Sequence, residues 1–171
     1  MKAYIGLGSN LGDRHRCLCG AVRMMRQDLD VQIIRISSVY ETEPVDCTGG
    51  LFLNAVAEIE TRLSANLLLK RLLAVEDQWG RKRSKPSAER SIDLDLLMYG
   101  NEISQSQEFI VPHPRMHERL FVLEPLSELE PGLIHPVLHR SVSELKDQLP
   151  YTGGIRKTEY QLILEQNYVS Q

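Results

Sequence analysis

Asp93 and Asp95 stand two apart in Arg90-Ser91-Ile92-Asp93-Leu94-Asp95-Leu96-Leu97. On an extended chain that spacing projects both carboxylates from one face, close enough that leaving both ionised is unfavourable unless a cation intervenes. Magnesium suits such hard oxygen ligands, above all when phosphate supplies the remaining ones. Alternating acids also occur on solvated strand faces, so spacing alone does not separate a metal site from a wet surface. The residues just upstream do: Arg81, Lys82, Arg83, Lys85 and Arg90. A guanidinium grips phosphate oxygens through paired hydrogen bonds while a metal neutralises the remaining charge. Lys82 and Lys85 fit a solvated basic loop, whereas Arg90 is tied to the aspartate strand.

His113, in Val111-Pro112-His113-Pro114, has its backbone restricted by a proline on each side and could present its imidazole to a phosphate or leaving oxygen. The other four histidines read as surface residues. Asn54 offers a donor and an acceptor to a heterocycle, or equally makes a local bond. The chain has no Gly-x-x-x-x-Gly-Lys-Ser/Thr stretch, and Gly6-Leu7-Gly8-Ser9 does not continue as a dinucleotide fingerprint. Phosphate binding is therefore expected from arginines and metal.

The elements that must position these residues follow from periodicity. Ala3, Ile5 and Leu7 alternate with Tyr4, Gly6 and Gly8 as in a strand, and Asp13 can cap a helix whose stripe is Leu18, Ala21, Val22, Met25 and Leu29. Val31 to Tyr40 is β-branched and strand-like, and Asp46 to Gly50 marks a loop. Leu53, Ala55, Ala57 and Ile59 then alternate with Phe52, Asn54, Glu58 and Glu60, predicting one dry and one largely polar face. Ser64 caps a second helix through Leu68, Leu72 and Val75. In the next strand Ile92, Leu94, Leu96 and Met98 oppose Asp93 and Asp95. This order predicts an α+β, ferredoxin-like βαββαβ core, with helices on one face of an antiparallel sheet and Asn54, Asp93 and Asp95 on the open face. Past Gly100, prolines at 112, 114, 125, 131 and 136 are expected to break any long element.

At 171 residues the chain is expected to be a single domain (1–171), and its net charge of −3 gives no reason to expect a nucleic-acid partner. No apolar run reaches the length of a membrane span and the first residues do not resemble a signal peptide, so a cytoplasmic protein without membrane attachment is expected. Cys17, Cys19 and Cys47 have no metal-site spacing.

Five stretches in order carry a family resemblance: Tyr4-Ile5-Gly6-Leu7-Gly8-Ser9-Asn10-Leu11-Gly12, Ser37 to Val45, Phe52-Leu53-Asn54-Ala55-Val56, Arg90 to Asp95, and Val111 to Met116. With them the chain resembles the 6-hydroxymethyl-7,8-dihydropterin pyrophosphokinases, which transfer diphosphate from ATP to a pterin alcohol in folate biosynthesis. The match covers about 1–150, leaving a tail at 151–171 with no assigned role.

The resemblance implies that Asp93 and Asp95 bind two Mg2+ ions, with Arg81 and Arg90 on the ATP phosphates. It places Glu76, His113 and Arg119 near the nucleotide, and Thr42, Glu43, Val45, Phe52, Asn54, Asp93 and Phe121 around the pterin. A flat ring could then stack between Phe52 and Phe121 while Asn54 reads its edge. Loops at Ser9 to Asp13, Asp46 to Leu51 and Lys82 to Glu89 resemble the family's mobile, substrate-covering loops. Where many members have Trp-Gly-Pro in the last of these, this chain has Ser87-Ala88-Glu89. A monomer is the expected state. The competing readings are a two-metal nucleotidyltransferase or cyclase, which would release diphosphate, and a single-stranded RNA-binding domain, whose sheet face Asp93 and Asp95 would oppose.

Overall fold

The alternating N-terminal residues form β1 (Lys2–Ser9), the inner strand of a six-stranded sheet. The structure is a computed structural model and describes residues 1–45, 49–79, 91–150 and 154–162. Arg81, Arg90, the 82–89 loop and 46–48 therefore lie outside the described residues. β1 pairs antiparallel with β4 (Phe52–Thr61) on one side and β5 (Asp93–Tyr99) on the other.

The segment expected as one strand over Val31 to Tyr40 is two. β2 (Val31–Ile36) pairs with the C-terminal half of β4, and β3 (Tyr40–Thr42) with its first residues. Ser37 manages the handover: its N–H donates to Val56 O, and its Oγ accepts from Val56 N–H, both at 2.9 Å.

Two helices cross one face, α1 (Arg14–Gln27) and α2 (Ala65–Gln78). Asp13 and Ser64 cap them as expected, each accepting from a backbone N–H of the first turn. Leu18, Ala21, Val22 and Met25 of α1 meet Leu68, Leu72 and Val75 of α2 over Ala3, Ile5, Leu7, Ala55, Ala57 and Ile59. Full burial of such a Leu or Ile contributes about 1.5–3 kcal/mol, so this layer is the main source of stability.

The expectation of helices on one face only is corrected. Pro125 does not prevent α3 (Leu120–Leu129), and α4 (Val142–Gln148) follows behind a capping box of Ser141 and Glu144. Val122, Leu123, Leu126, Val142 and Leu145 cover Tyr4, Val56 and Leu97 on the opposite face, supplying packing that outweighs the bond Pro125 cannot donate. Glu58, expected on an open polar face, is 3% exposed and salt-bridged to Lys2 and Arg35. Only the half of this face that bears Asn54 and the aspartates lies beyond these helices' cover.

Met98 is a second correction. The β1–β5 register slips between Tyr4 and Ile5, and the extra residue flips the alternation, placing Leu97 and Met98 in the α3–α4 layer. Tyr99 then rejoins the first layer. A short hairpin of β6 (Ser104–Gln105) and β7 (Ile110–Val111) leads to His113. The tail, to which the sequence assigned no role, contributes β8 (Ile155–Lys157) at the sheet edge on β3. No described helix is long and apolar enough to cross a membrane.

Gly20 is a socket between the two large helices. A Cβ there would lie 1.8 Å from a ring carbon of Trp79, the residue that ends α2. We expect Gly20→Ala to lower stability by about 1–3 kcal/mol, although alanine favours the helix itself by about 1 kcal/mol. The readout is a thermal midpoint several degrees lower; an unchanged or raised midpoint contradicts the packing.

Candidate functional site

Directly paired residues of an antiparallel ladder share a face. Gly8 pairs with Asp93 on one side and Asn54 on the other, and Gly6 pairs with Asp95 and Val56. Asp93, Gly8, Asn54 and Tyr40 thus form one row across four strands. Between the aspartates and Asn54, Gly6 and Gly8 contribute no side chains to the sheet floor, and the Leu97 side chain comes within 3.5 Å of where a Cβ on Gly6 would stand. A Cβ on Gly8 would stand 3.0 Å from Asn54 Oδ1 and 3.6 Å from the Phe52 ring, so the strip is kept flat by residue type. In the sequence Gly6 and Gly8 are the alternate face of a strand and part of a family motif, with no role assigned to their missing side chains. Their shared phase, opposite the buried Ala3, Ile5 and Leu7, was the signal for this platform.

The start of β5 is held from below. Ser9 Oγ donates to Ser91 O at 2.6 Å, and Ser91 Oγ donates to Trp79 O at 2.7 Å. Glu76 is fully buried, and its Oε1 accepts from Leu94 N–H at 2.7 Å. It supports the backbone between the two aspartates from the helix side.

Above the strip, Arg119 Nη1 lies 3.9 Å from Asp95 Oδ2, and its guanidinium is 5.6 Å from the centre of the Phe121 ring. His113 donates its backbone N–H to Leu97 O at 2.8 Å. Its Nδ1 accepts from Arg115 N–H at 3.2 Å, which leaves Nε2 as the protonated, donating nitrogen of a neutral ring. Burial is the largest cause of a pKa lowered to about 4, reinforced by Arg119 and opposed by Asp93.

A depressed histidine pKa means that the unfolded chain takes up this proton near pH 6.5 while the folded one resists until about 4. The stability linked to His113 is complete above the ordinary histidine pKa and is lost as pH falls through that window. In an NMR titration of the ligand-free protein, His113 should therefore stay neutral down to about pH 4. A midpoint at or above the ordinary histidine value contradicts this environment.

Of the residues expected around a ring, Thr42, Glu43, Val45 and Phe121 line one cavity of about 270 Å3, together with Arg119, Leu149 and Ile155. Asn54 is not in that lining but bonds to it, donating Nδ2–H to Thr42 Oγ1 at 2.7 Å with both residues nearly fully buried. Phe52 pairs in register with Thr42. Glu128 of α3 clamps β3 from outside, accepting from Tyr40 Oη at 2.7 Å and from Ser38. A larger recess of about 510 Å3 runs between α1 and α2 on the other face. It contains none of these groups, which leaves the smaller cavity as the candidate ring site.

Asp93 and Asp95 are an apt donor set for Mg2+: two hard carboxylates on one strand face, with the rest of an octahedron left to water and phosphate oxygens. Arg119 beside Asp95 already shows that a cation is favoured there. No group of three or more His, Cys, Asp or Glu among the described residues could enclose a metal.

These features define an α+β protein with a strip of two glycines between a carboxylate pair and Asn54, beside a cavity walled in part by Phe121. Residues 4–131 match the family model described as 7,8-dihydro-6-hydroxymethylpterin-pyrophosphokinase (HPPK). The chain is 44% identical over 128 residues to the 2-amino-4-hydroxy-6-hydroxymethyldihydropteridine pyrophosphokinase of Bacillus subtilis, covering 74% of this chain and 77% of that one. It is 41% identical to the Haemophilus influenzae protein of the same name, over 80% and 86% of the two chains. Among solved structures, a Plasmodium falciparum HPPK-DHPS superposes with a TM-score of 0.70 at 13% identity, over 86% of this chain. This chain spans 45% of that longer protein. The chain belongs to the HPPK family.

Proposed function

We propose that this protein transfers diphosphate from ATP to 6-hydroxymethyl-7,8-dihydropterin, releasing AMP, as a step of folate biosynthesis. The observation that carries the reading is the side-chain-free strip of Gly6 and Gly8, with Asp93 and Asp95 on one side and Asn54 on the other. A planar ring laid by Asn54 and Thr42 has its substituent directed along the strip toward the aspartates.

In this reading Phe52 and Phe121 hold the two faces of the pterin, worth about 0.5–1.5 kcal/mol per aromatic pair beyond burial. Asn54 and backbone groups read its polar edge. Asp93 and Asp95 hold two Mg2+ ions, which when bound neutralise charge on the transferred group and favour in-line attack of the pterin hydroxyl on the β-phosphorus. The neutral His113 would donate from Nε2 to a phosphate oxygen, and Arg119, beside Asp95, would pair with the phosphates. Arg81 and Arg90 are assigned to the same phosphates. Glu76 acts by positioning β5, and Glu43 and Val45 close the cavity's outer side. The protein supplies no nucleophile, because the pterin hydroxyl is the attacking group.

The strand order β5-β1-β4-β2, with α1 and α2 as the connections, supports the ferredoxin-like description of the core. A cytoplasmic, monomeric enzyme acting on ATP and a pterin, without nucleic acid, completes the proposal. ATP consumption should require both the pterin and magnesium. ATP turnover that persists undiminished without the pterin would overturn it.

A further inference from the structure

The tail segment that follows α4 lies beyond the 4–131 family match, yet it reaches the candidate ring cavity. Gly154 and Ile155 line that cavity beside Thr42, Glu43 and Phe121. Gly154 O accepts from Glu43 N–H at 3.1 Å. Gly154 has a φ of +75°, and a Cβ there would meet the Glu43 side chain at 3.2 Å, so both backbone conformation and close approach call for glycine. β8 then pairs with β3 through Thr42↔Ile155, Glu41↔Arg156 and Tyr40↔Lys157.

A charged relay runs the same way. Arg156 Nη2 donates to Glu41 Oε1 at 2.7 Å, and Arg14 Nη2 donates to Glu41 Oε2 at 2.9 Å. Arg14 Nη1 donates to Leu51 O at 2.8 Å. Glu41 is 15% exposed, and the two arginines hold its carboxyl below the usual carboxylate range. The backbone bond at Glu43 and the relay to Leu51 thus grip the chain at both ends of the segment between β3 and β4.

We propose that Gly154, Ile155 and Arg156 are positioning residues of the pterin pocket: Ile155 forms part of its wall, and Gly154 and Arg156 fix β3 and both ends of the 43–51 segment around the ring. The inference rests on the pterin reading above. It makes the tail a determinant of pterin affinity with little effect on the ATP side, since Asp93, Asp95 and His113 stand outside the lining of this cavity.

The test is steady-state kinetics on the full chain, with KM for the pterin and for ATP measured separately for wild type, Ile155→Ser, Arg156→Ala and Arg156→Lys. Ile155→Ser should raise the pterin KM about tenfold, and Arg156→Ala about threefold, the loss of one ion pair whose arginine is largely exposed. The ATP KM should stay within about twofold, and Arg156→Lys should recover much of the pterin affinity because it keeps the charge opposite Glu41. Unchanged pterin KM in both variants overturns the proposal, as does a loss in kcat that merely follows a lowered thermal midpoint with both KM values unchanged. If the wild type itself does not use the pterin, the functional reading fails and the inference falls with it. If the wild type does and the variants match it, the inference alone fails.

Discussion

Asp95→Asn is expected to lower turnover by at least about a hundredfold, the scale of removing one preorganised electrostatic group from a site where charge is transferred. The change keeps the volume and the strand pairing with Gly6, so the fold has no reason to suffer. What it removes is one of two negative charges on the face that must hold the cations, and the partner of Arg119 at 3.9 Å. The loss should appear in kcat, with the pterin KM little altered, because Asn54, Thr42 and the ring cavity are untouched. Turnover near that of the wild type would remove Asp95 from the chemistry.

Asn54→Ala has the next largest effect and falls on the opposite parameter. Asn54 is 6% exposed, donates to Thr42 Oγ1 and turns its Oδ1 over the Gly8 strip. Truncation leaves Thr42 and the ring edge without a partner in a buried place, costing about 1–3 kcal/mol in affinity, or about five- to a hundredfold in Kd. Calorimetry in the presence of a non-hydrolysable ATP analogue and magnesium reads this directly. Unchanged pterin affinity would take Asn54 out of the pocket. Together the two substitutions separate the halves of the site, one reading chemistry and the other recognition.

Much of this arrangement was legible in the sequence because it depends on local periodicity. The phase of Ala3, Ile5 and Leu7, the caps at Asp13 and Ser64, and the two-residue spacing of the aspartates each fix a direction without knowledge of the rest of the fold. Asn54 and Asp93 were expected on one face, and the register through Gly8 places them there.

What was missed depends on contacts distant in the chain. Tyr4, Val56 and Leu97 were the apolar residues on the supposedly open face, but only α3 and α4, far along the sequence, show what they meet. The slip at Tyr4/Ile5 that reverses Met98 leaves no mark in alternation, because a bulge is a property of the pair and not of either strand. Pro125 was weighed by its missing N–H, whereas burial of its neighbours Val122, Leu123 and Leu126 decided the outcome. Glu76 shows a related limit. The resemblance places it near the nucleotide, and only the 2.7 Å bond to Leu94 N–H shows that it also supports the aspartate strand from beneath. The tail's link to Glu41 and Glu43 could not be seen from its own residues at all.

The most direct measurement of the central claim is the phosphorus NMR spectrum of a reaction of this protein with ATP, magnesium and 6-hydroxymethyl-7,8-dihydropterin. Attack at the β-phosphorus gives AMP and a pterin carrying two phosphorus resonances coupled to each other. Formation of ADP with a singly phosphorylated pterin, or of free diphosphate with an adenylylated pterin, would contradict it.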